Sequence, residues 1–203
     1  MSRSDESYGQ RSLTWVDRFG VWLSQRAILR HLPKRDALSV LDIGCGYHAT
    51  QLMSLKDRIK IGVGIDFAVA TGLKSQPGFE WHEGAVEECL PKLSESTFDA
   101  ILMISVLEHL ADPEAALARV RKLLRPQGVL LINVPTWRGK WWLELSAFRL
   151  GLSPKVEMDD HKMYYDVRDL WPRLVAAGFK PSHIHLRYHK FGLNLFATAT
   201  SDE

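Results

Sequence analysis

Two glycines and two acids hold the densest chemistry in this chain. Val40-Leu41-Asp42-Ile43-Gly44-Cys45-Gly46 runs from an apolar strand into a glycine turn, and Ile61-Gly62-Val63-Gly64-Ile65-Asp66 ends a second apolar strand on a carboxylate. A Gly-x-Gly turn after a strand lets backbone approach a ligand closely, and an acid about 20 residues on accepts hydrogen bonds from both ribose hydroxyls. Gly44 and Gly46 therefore shape the turn, Asp66 grips a ribose, and the pair suits an adenosine. The string Gly44-Cys45-Gly46-Tyr47-His48-Ala49 also fits the loose dinucleotide pattern G-x-G-x-x-G/A, so a nicotinamide-dependent oxidoreductase stays open at this point.

Further along, three sets of residues could do chemistry. His109, in Val106-Leu107-Glu108-His109-Leu110, is a candidate general base, since an imidazole titrates near neutral pH and can take a proton from an alcohol or phenol. The alternative is that Glu108-His109 is a structural turn. In Asp159-Asp160-His161-Lys162-Met163-Tyr164-Tyr165, His161 beside carboxylates is a second candidate base, Tyr164 and Tyr165 offer hydroxyls to an acceptor, and a solvated loop is the plainer reading. No metal is expected there, because oxygen-rich surface turns far outnumber metal sites. His183, His185, Arg187 and His189 alternate through a strand expected over about 182–189; such a row could bind metal or phosphate, and with Ile184, Leu186 and Tyr188 opposite it more simply describes the wet side of a half-buried edge strand.

These residues need a scaffold, and hydrophobic patterning supplies one. Leu13, Val16, Phe19, Trp22, Leu23, Ile28 and Leu29 predict an amphipathic helix over 13–31. Strands follow near 38–43, 60–66, 79–82, 98–104 and 128–134 with helical stretches between most of them, which implies right-handed βαβ units, a largely parallel sheet and helices on both faces. Ligands then sit at the strand C-termini. A helix from Asp166 as N-cap to a stop at Gly178 precedes two strands, about 182–189 and 193–200, that read as a terminal hairpin. A chain of 203 residues most simply makes one domain over 1–203, with a helical extension over 1–37. Lys plus Arg total 26 against 24 for Asp plus Glu, so charge makes no case for nucleic acid. Cys45 and Cys89 form no disulfide framework and suit a reducing compartment. The chain opens polar and no apolar run reaches the length of about 20 residues that spans a bilayer, so a cytoplasmic protein is expected.

Four segments in order, Val40–Gly46, Ile61–Asp66, Phe98–Pro113 with its Leu107-Glu108-His109-Leu110, and Leu124–Pro135 with its Leu124-Arg125-Pro126-Gln127-Gly128, closely resemble the class I S-adenosylmethionine-dependent methyltransferases, in particular their small-molecule branch. The resemblance covers roughly residues 38–136. It implies a Rossmann-like three-layer α/β sandwich, a seven-stranded mostly parallel sheet with a C-terminal antiparallel hairpin, and S-adenosylmethionine as cofactor. It further implies that Asp42 holds the amino-acid end, Gly44 and Gly46 face the methionine and ribose, Asp66 binds the ribose, and Phe67 lies against the adenine. Backbone at Ala85 and Val86 would read the adenine edge, with Glu83 or Glu87 near its amine, and Ile104 and Ser105 would line the pocket beside the sulfonium. His48 stands where the family more often has a third glycine.

The same resemblance puts substrate selection in an insertion over 136–165, where Thr136-Trp137-Arg138-Gly139-Lys140-Trp141-Trp142 is rich in tryptophan and cations. Trp137, Trp141, Tyr164 and Tyr165 are its candidate substrate contacts; core packing and peripheral membrane contact are the other readings of the segment. The expected activity is methyl transfer to a small-molecule or lipid-linked acceptor, most simply at oxygen. A cofactor-binding protein without catalysis is the alternative from another class.

Overall fold

The structure, a computed structural model, describes residues 15–140 and 163–202. In chain order the regular elements are α1 (Trp15–His31), β1 (Leu38–Ile43), α2 (Thr50–Met53), β2 (Ile59–Asp66), β3 (Phe79–Glu83), α3 (Val86–Cys89), β4 (Phe98–Ile104), α4 (Pro113–Leu123), β5 (Leu124–Pro135), α5 (Val167–Ala176), β6 (Ile184–His189) and β7 (Asn194–Thr200). The strands form one seven-stranded sheet in the order β3-β2-β1-β4-β5-β7-β6. The first five are mutually parallel, while β7 runs antiparallel to both β5 and β6. The expected hairpin is therefore present, and the order reverses between β1 and β4, the position at which open α/β sheets leave a crevice beyond their strand ends.

Side chains alternate across the sheet as a period of two requires. On one face Leu41, Ile43, Ile65, Ile101, Met103 and Ile132 pack against Leu117, Val120, Leu170 and Leu174 of α4 and α5. On the other, Val40, Ala100, Leu102, Leu131 and Phe196 meet Ala27 and Ile28 of α1 and Leu52 of α2. Both faces are covered, which is why β1 and β4 are buried almost throughout and read as mostly apolar runs. Glycines at 62 and 64 serve close approach: a Cβ on either would lie 2.4 or 2.5 Å from the Phe79 or Trp81 ring, which stack on each other beside β2.

Several boundaries differ from the sequence expectation. β5 starts at Leu124 rather than 128, because Leu124 pairs with Phe98 and the ladder resumes with Val129 on Ala100. The intervening residues bulge out, with Pro126 lacking an N–H and Gln127 at φ +61°. β6 starts at Ile184, since Pro181–His183 form a 3₁₀ turn. His183 thus leaves the expected row and lies with Nδ1 3.2 Å from Asp202 Oδ1. At the opposite end of the sheet from the crevice, buried Asp99 accepts from Ser39 N–H at 2.8 Å and pairs with Arg35 at 2.6 Å and Arg125 at 3.1 Å. Among the described residues, no helix is long and apolar enough to cross a membrane.

Candidate functional site

The glycine turn is stitched to the end of the neighbouring strand. Gly44 and Cys45 both donate their N–H groups to the Ile65 carbonyl, at 2.8 and 3.1 Å, and this brings Gly46 beside Asp66. Asp66 is 7% exposed and accepts from Gly46 N–H at 2.7 Å through Oδ2 and from Phe67 N–H at 2.8 Å through Oδ1. One carboxylate thereby fixes the turn that carries the sequence-predicted contacts and stands ready at its rim. Gly44 has φ +68°, and a Cβ there would sit 2.2 Å from Val106 Cγ2, so the loops after β1 and β4 close on each other only because residue 44 lacks a side chain.

Asp42 lies beneath that turn, fully enclosed, and its Oδ2 has no hydrogen-bond partner. Burial pushes its carboxyl up to about 8; the nearby Asp66 adds to this and a bond to the Leu52 backbone opposes it. A buried acid in this condition is completed by a cation. The ammonium of an amino acid would meet that need, while Asp66 is placed for a ribose and the backbone cradle at Gly44 admits the rest. The donor and acceptor set therefore fits S-adenosylmethionine, with Asp42, Gly44, Gly46 and Asp66 as the residues that would hold it.

Around this centre the other candidates fall at the same ends of the strands. Phe67 is 42% exposed next to Asp66, as an aromatic that covers a ring would be. Ala85 and Val86 open α3 after β3, and Gly84 N–H donates to the Asp66 carbonyl at 3.0 Å, joining that turn to the end of β2. Glu83 is engaged elsewhere: it accepts from Val69 N–H at 2.9 Å and from Lys74 at 2.6 Å, and the Lys74 ammonium holds its carboxyl below the ordinary range. Glu87 reaches Ala111 N–H at 3.3 Å. Ile104 is half-buried and Ser105 exposed, with Ser105 at φ +59° and its N–H on the Asn133 carbonyl at 2.8 Å. His48 is exposed with its ring edge-on to Tyr47, so it does not fill the turn.

His109 is half-buried at the end of a 3₁₀ turn after β4, its N–H on the Val106 carbonyl at 2.9 Å. After β5, Trp137 begins a helical turn over 137–140 and lies 5.6 Å from the Tyr164 ring, and Lys140 Nζ is 5.6 and 5.7 Å from those two ring centres. Tyr165 departs from its expected role. Its ring is in the core, its hydroxyl donates to the Leu107 carbonyl at 3.4 Å and its N–H to the Pro135 carbonyl at 3.0 Å. Tyr164 is itself 6% exposed, under Trp137 and Lys140, while Tyr165 at 1% packs in the sheet core and braces the His109 turn instead of lining the crevice. Trp141 and His161 lie outside the described residues.

Three polar residues gain importance only in three dimensions. Glu108 is buried with Oε2 unpartnered, and burial pushes its carboxyl up to about 8. Lys190, after β6, is pulled down to about 8 by burial, against the attraction of Glu108. Asn133 at the end of β5 is enclosed with both amide atoms unpartnered. Glu108 and Asn133 could have been singled out in the sequence as polar residues inside apolar runs; nothing in the sequence points to Lys190, which the hairpin brings from 82 positions away.

Comparison with known proteins agrees with this geometry. A family described as a methyltransferase domain matches residues 15–184. The chain is 30% identical over 171 residues to a ubiquinone biosynthesis O-methyltransferase of Histophilus somni, covering 76% of this chain and 72% of that protein. It is 30% identical over 110 residues to a trans-aconitate 2-methyltransferase of Deinococcus radiodurans, where it spans 51% of this chain and 40% of the relative. Among solved structures, an S-adenosylmethionine-dependent methyltransferase from Mesorhizobium loti shares the fold with TM-score 0.63 at 16% identity over 88% of this chain and 96% of that one. The [4+2]-cyclase SpnF does so with TM-score 0.69 at 13% identity, over 97% and 87%. At such identities the structures establish the fold alone, and one of them is named for a different reaction. The family match over most of the chain, on a fold whose glycine turn and buried acids would fit that cofactor, places this chain among the class I S-adenosylmethionine-dependent methyltransferases.

Proposed function

We propose that the chain transfers a methyl group to an oxygen of a small or lipid-linked acceptor, within a single domain over 1–203. The observation that carries this reading is that His109 after β4 and the Trp137–Tyr164 aromatic pair beneath the Lys140 ammonium after β5 lie at the same ends of two neighbouring parallel strands. S-adenosylmethionine supplies an electrophilic methyl on a sulfonium, so the protein has only to align the acceptor and accept its proton. Asp42, Asp66, Gly44 and Gly46 hold the donor, Phe67, Ala85 and Val86 bound its adenine, and the backbone of Ile104 and Ser105 borders the reacting end. Trp137, 43% exposed and backed by the buried Tyr164, offers a flat apolar face that suits a phenolic or quinoid ring. His109 takes the hydroxyl proton. The name of the Histophilus relative, an O-methyltransferase, supports oxygen as the acceptor atom. Cys45 and Cys89, both free and buried, are in keeping with a reducing compartment such as the cytoplasm.

The test is release of S-adenosylhomocysteine from S-adenosylmethionine across a panel of phenols, aliphatic alcohols, amines and carboxylates. Turnover of a phenol or alcohol is expected, and His109→Ala should lower kcat about 10²–10⁴-fold while leaving S-adenosylhomocysteine affinity unchanged. Turnover of amines alone would reject oxygen as the target. Binding without turnover of any acceptor would favour a non-catalytic cofactor-binding protein.

A further inference from the structure

The outward face of α1 has an unusual composition for a surface. Ser24, Ala27 and Ile28 point into the sheet, while Trp15, Phe19, Trp22, Arg26 and Leu29 follow one another at alternating spacings of four and three residues and form a stripe on the opposite side. The three aromatic residues on this stripe are 79%, 45% and 45% exposed, and Phe19 stacks on Trp22 with ring centres 5.7 Å apart. Arg18 and Arg30 flank the stripe, and Arg26 lies 4.9 Å over the Trp22 ring. Where α1 meets the sheet edge, a cleft of about 310 Å³ is lined by Trp22, Leu23, Arg26, Arg30, Arg187 and His189. Phe191, in the turn after β6, is 89% exposed at φ +61°, a conformation that a bulky side chain adopts only under constraint.

Charge on this face has one sign. Asp17, the only acid of α1, lies on the inward side by helical spacing, and β6 carries none. Arg18, Arg26, Arg30 and Arg187 take part in none of the ion pairs among the described residues. A face of tryptophan, phenylalanine and unpaired arginine is what a helix lying in a lipid headgroup layer presents: rings at the acyl boundary and guanidinium groups on phosphates. A second copy packed by two-fold symmetry would set these arginines against their own kind.

We propose that α1, with Arg187 and Phe191, is a docking face for a bilayer surface rich in anionic phospholipid, the cleft between α1 and β6 receiving a lipid phosphate. This differs from membrane contact through the tryptophan-rich segment after β5. It also gives the crevice a direction. Lys190 Nζ lies 3.7 Å from the Cβ position of Gly20 on α1, and the Gly192 carbonyl accepts from Thr136 Oγ1 at 2.8 Å, next to Trp137. The turn over 190–192 thus joins the docking face to the aromatic pair, so that a docked molecule opens toward acceptors dissolved in lipid. Only that consequence rests on the proposed methyl transfer; the docking itself does not.

The test is co-sedimentation of the full chain with vesicles of phosphatidylcholine alone or mixed with phosphatidylglycerol, alongside calorimetric binding of S-adenosylhomocysteine and a measurement of molecular mass in solution. Binding to the mixed vesicles is expected to exceed binding to the neutral ones at least tenfold and to weaken with added salt. Trp15→Ser with Trp22→Ser, and separately Arg26→Gln with Arg30→Gln and Arg187→Gln, should each lower it about tenfold or more with cofactor affinity unchanged. Equal binding to both vesicles, no binding, or full binding by both variants would overturn the proposal. So would loss of binding on Trp137→Ser while the α1 variants still bind, or a wild-type dimer that the tryptophan variant converts to monomer. Vesicle binding by a chain that failed to take up S-adenosylhomocysteine would instead defeat the methyltransferase reading and leave the docking face standing.

Discussion

Asp66 accepts from Gly46 N–H through Oδ2 and from Phe67 N–H through Oδ1, and both bonds hold the carboxylate where a ribose would meet it. Asp66→Ala is therefore expected to weaken S-adenosylhomocysteine binding by about 1–3 kcal/mol, since charge-assisted hydrogen bonds are removed; calorimetric affinity equal to wild type would displace Asp66 from the ribose. Gly44 offers a sharper steric test. An added methyl meets Val106 Cγ2 at 2.2 Å and must also adopt φ +68°, so Gly44→Ala should cost about 2–4 kcal/mol of stability. Adding Val106→Ala relieves the collision but not the backbone conformation, and urea midpoints should show partial recovery. Complete recovery would mean that the left-handed backbone carries no cost. Both residues were legible in the sequence because glycine and a strand-terminal acid at this separation have few other uses. Glu108 was legible only as part of a turn, and Lys190 not at all, since their relation depends on a fold-wide juxtaposition that no local spacing encodes.

At the level of elements, β1, β2 and β4 could be read to within a residue or so, since strands buried on both faces over most of their length leave mostly apolar runs. The start of β5 could not. Its first residue pairs with Phe98 across a bulge that contains Pro126 and Gly128, and a proline and a glycine read as a loop when no partner strand is in view. That bulge has a purpose beyond geometry: it delivers Arg125 to Asp99, which also holds Arg35 and the start of β1 through Ser39 N–H. Both arginines are substantially exposed, so water screens the ion pairs and the buried backbone bond carries much of the effect. Asp99→Ala should destabilise the protein by about 2 kcal/mol, measured by urea unfolding, with cofactor affinity unchanged because the site lies at the opposite strand ends. A loss of cofactor binding at full stability would show that the two ends of the sheet are coupled.

For the whole molecule, the balance of 26 basic and 24 acidic side chains hides groups whose titration is displaced by burial. Asp42 and Glu108 are each pushed up to about 8, Lys190 is pulled down to about 8, and His189 is pulled down to about 4 by burial and by Lys190 and Arg187. Above the ordinary carboxylate range and below about pH 8, the folded chain keeps protons on Asp42 and Glu108 that the unfolded chain has lost. Stability must therefore fall as pH rises through this interval, by up to about 1.4 kcal/mol per pH unit for each group. His189 acts in the opposite sense between about pH 4 and 6.5, where the unfolded chain binds the extra proton, so the fall is clearest from about pH 6.5 to 8. Lys190 gives a rise only above about pH 8. Asp42→Asn or Glu108→Gln should flatten the fall, and a thermal midpoint that climbed between pH 6.5 and 8 would contradict the enclosure of both acids. Donor binding separates them. An ammonium beside Asp42 favours its ionised form and leaves Glu108 unaffected, so S-adenosylmethionine should release a proton on binding and stabilise the chain more at pH 8 than at pH 6.5. Calorimetry in buffers of different ionisation enthalpy would count that proton. Its disappearance in Asp42→Asn, and its persistence in Glu108→Gln, would assign it to the acid beneath the glycine turn.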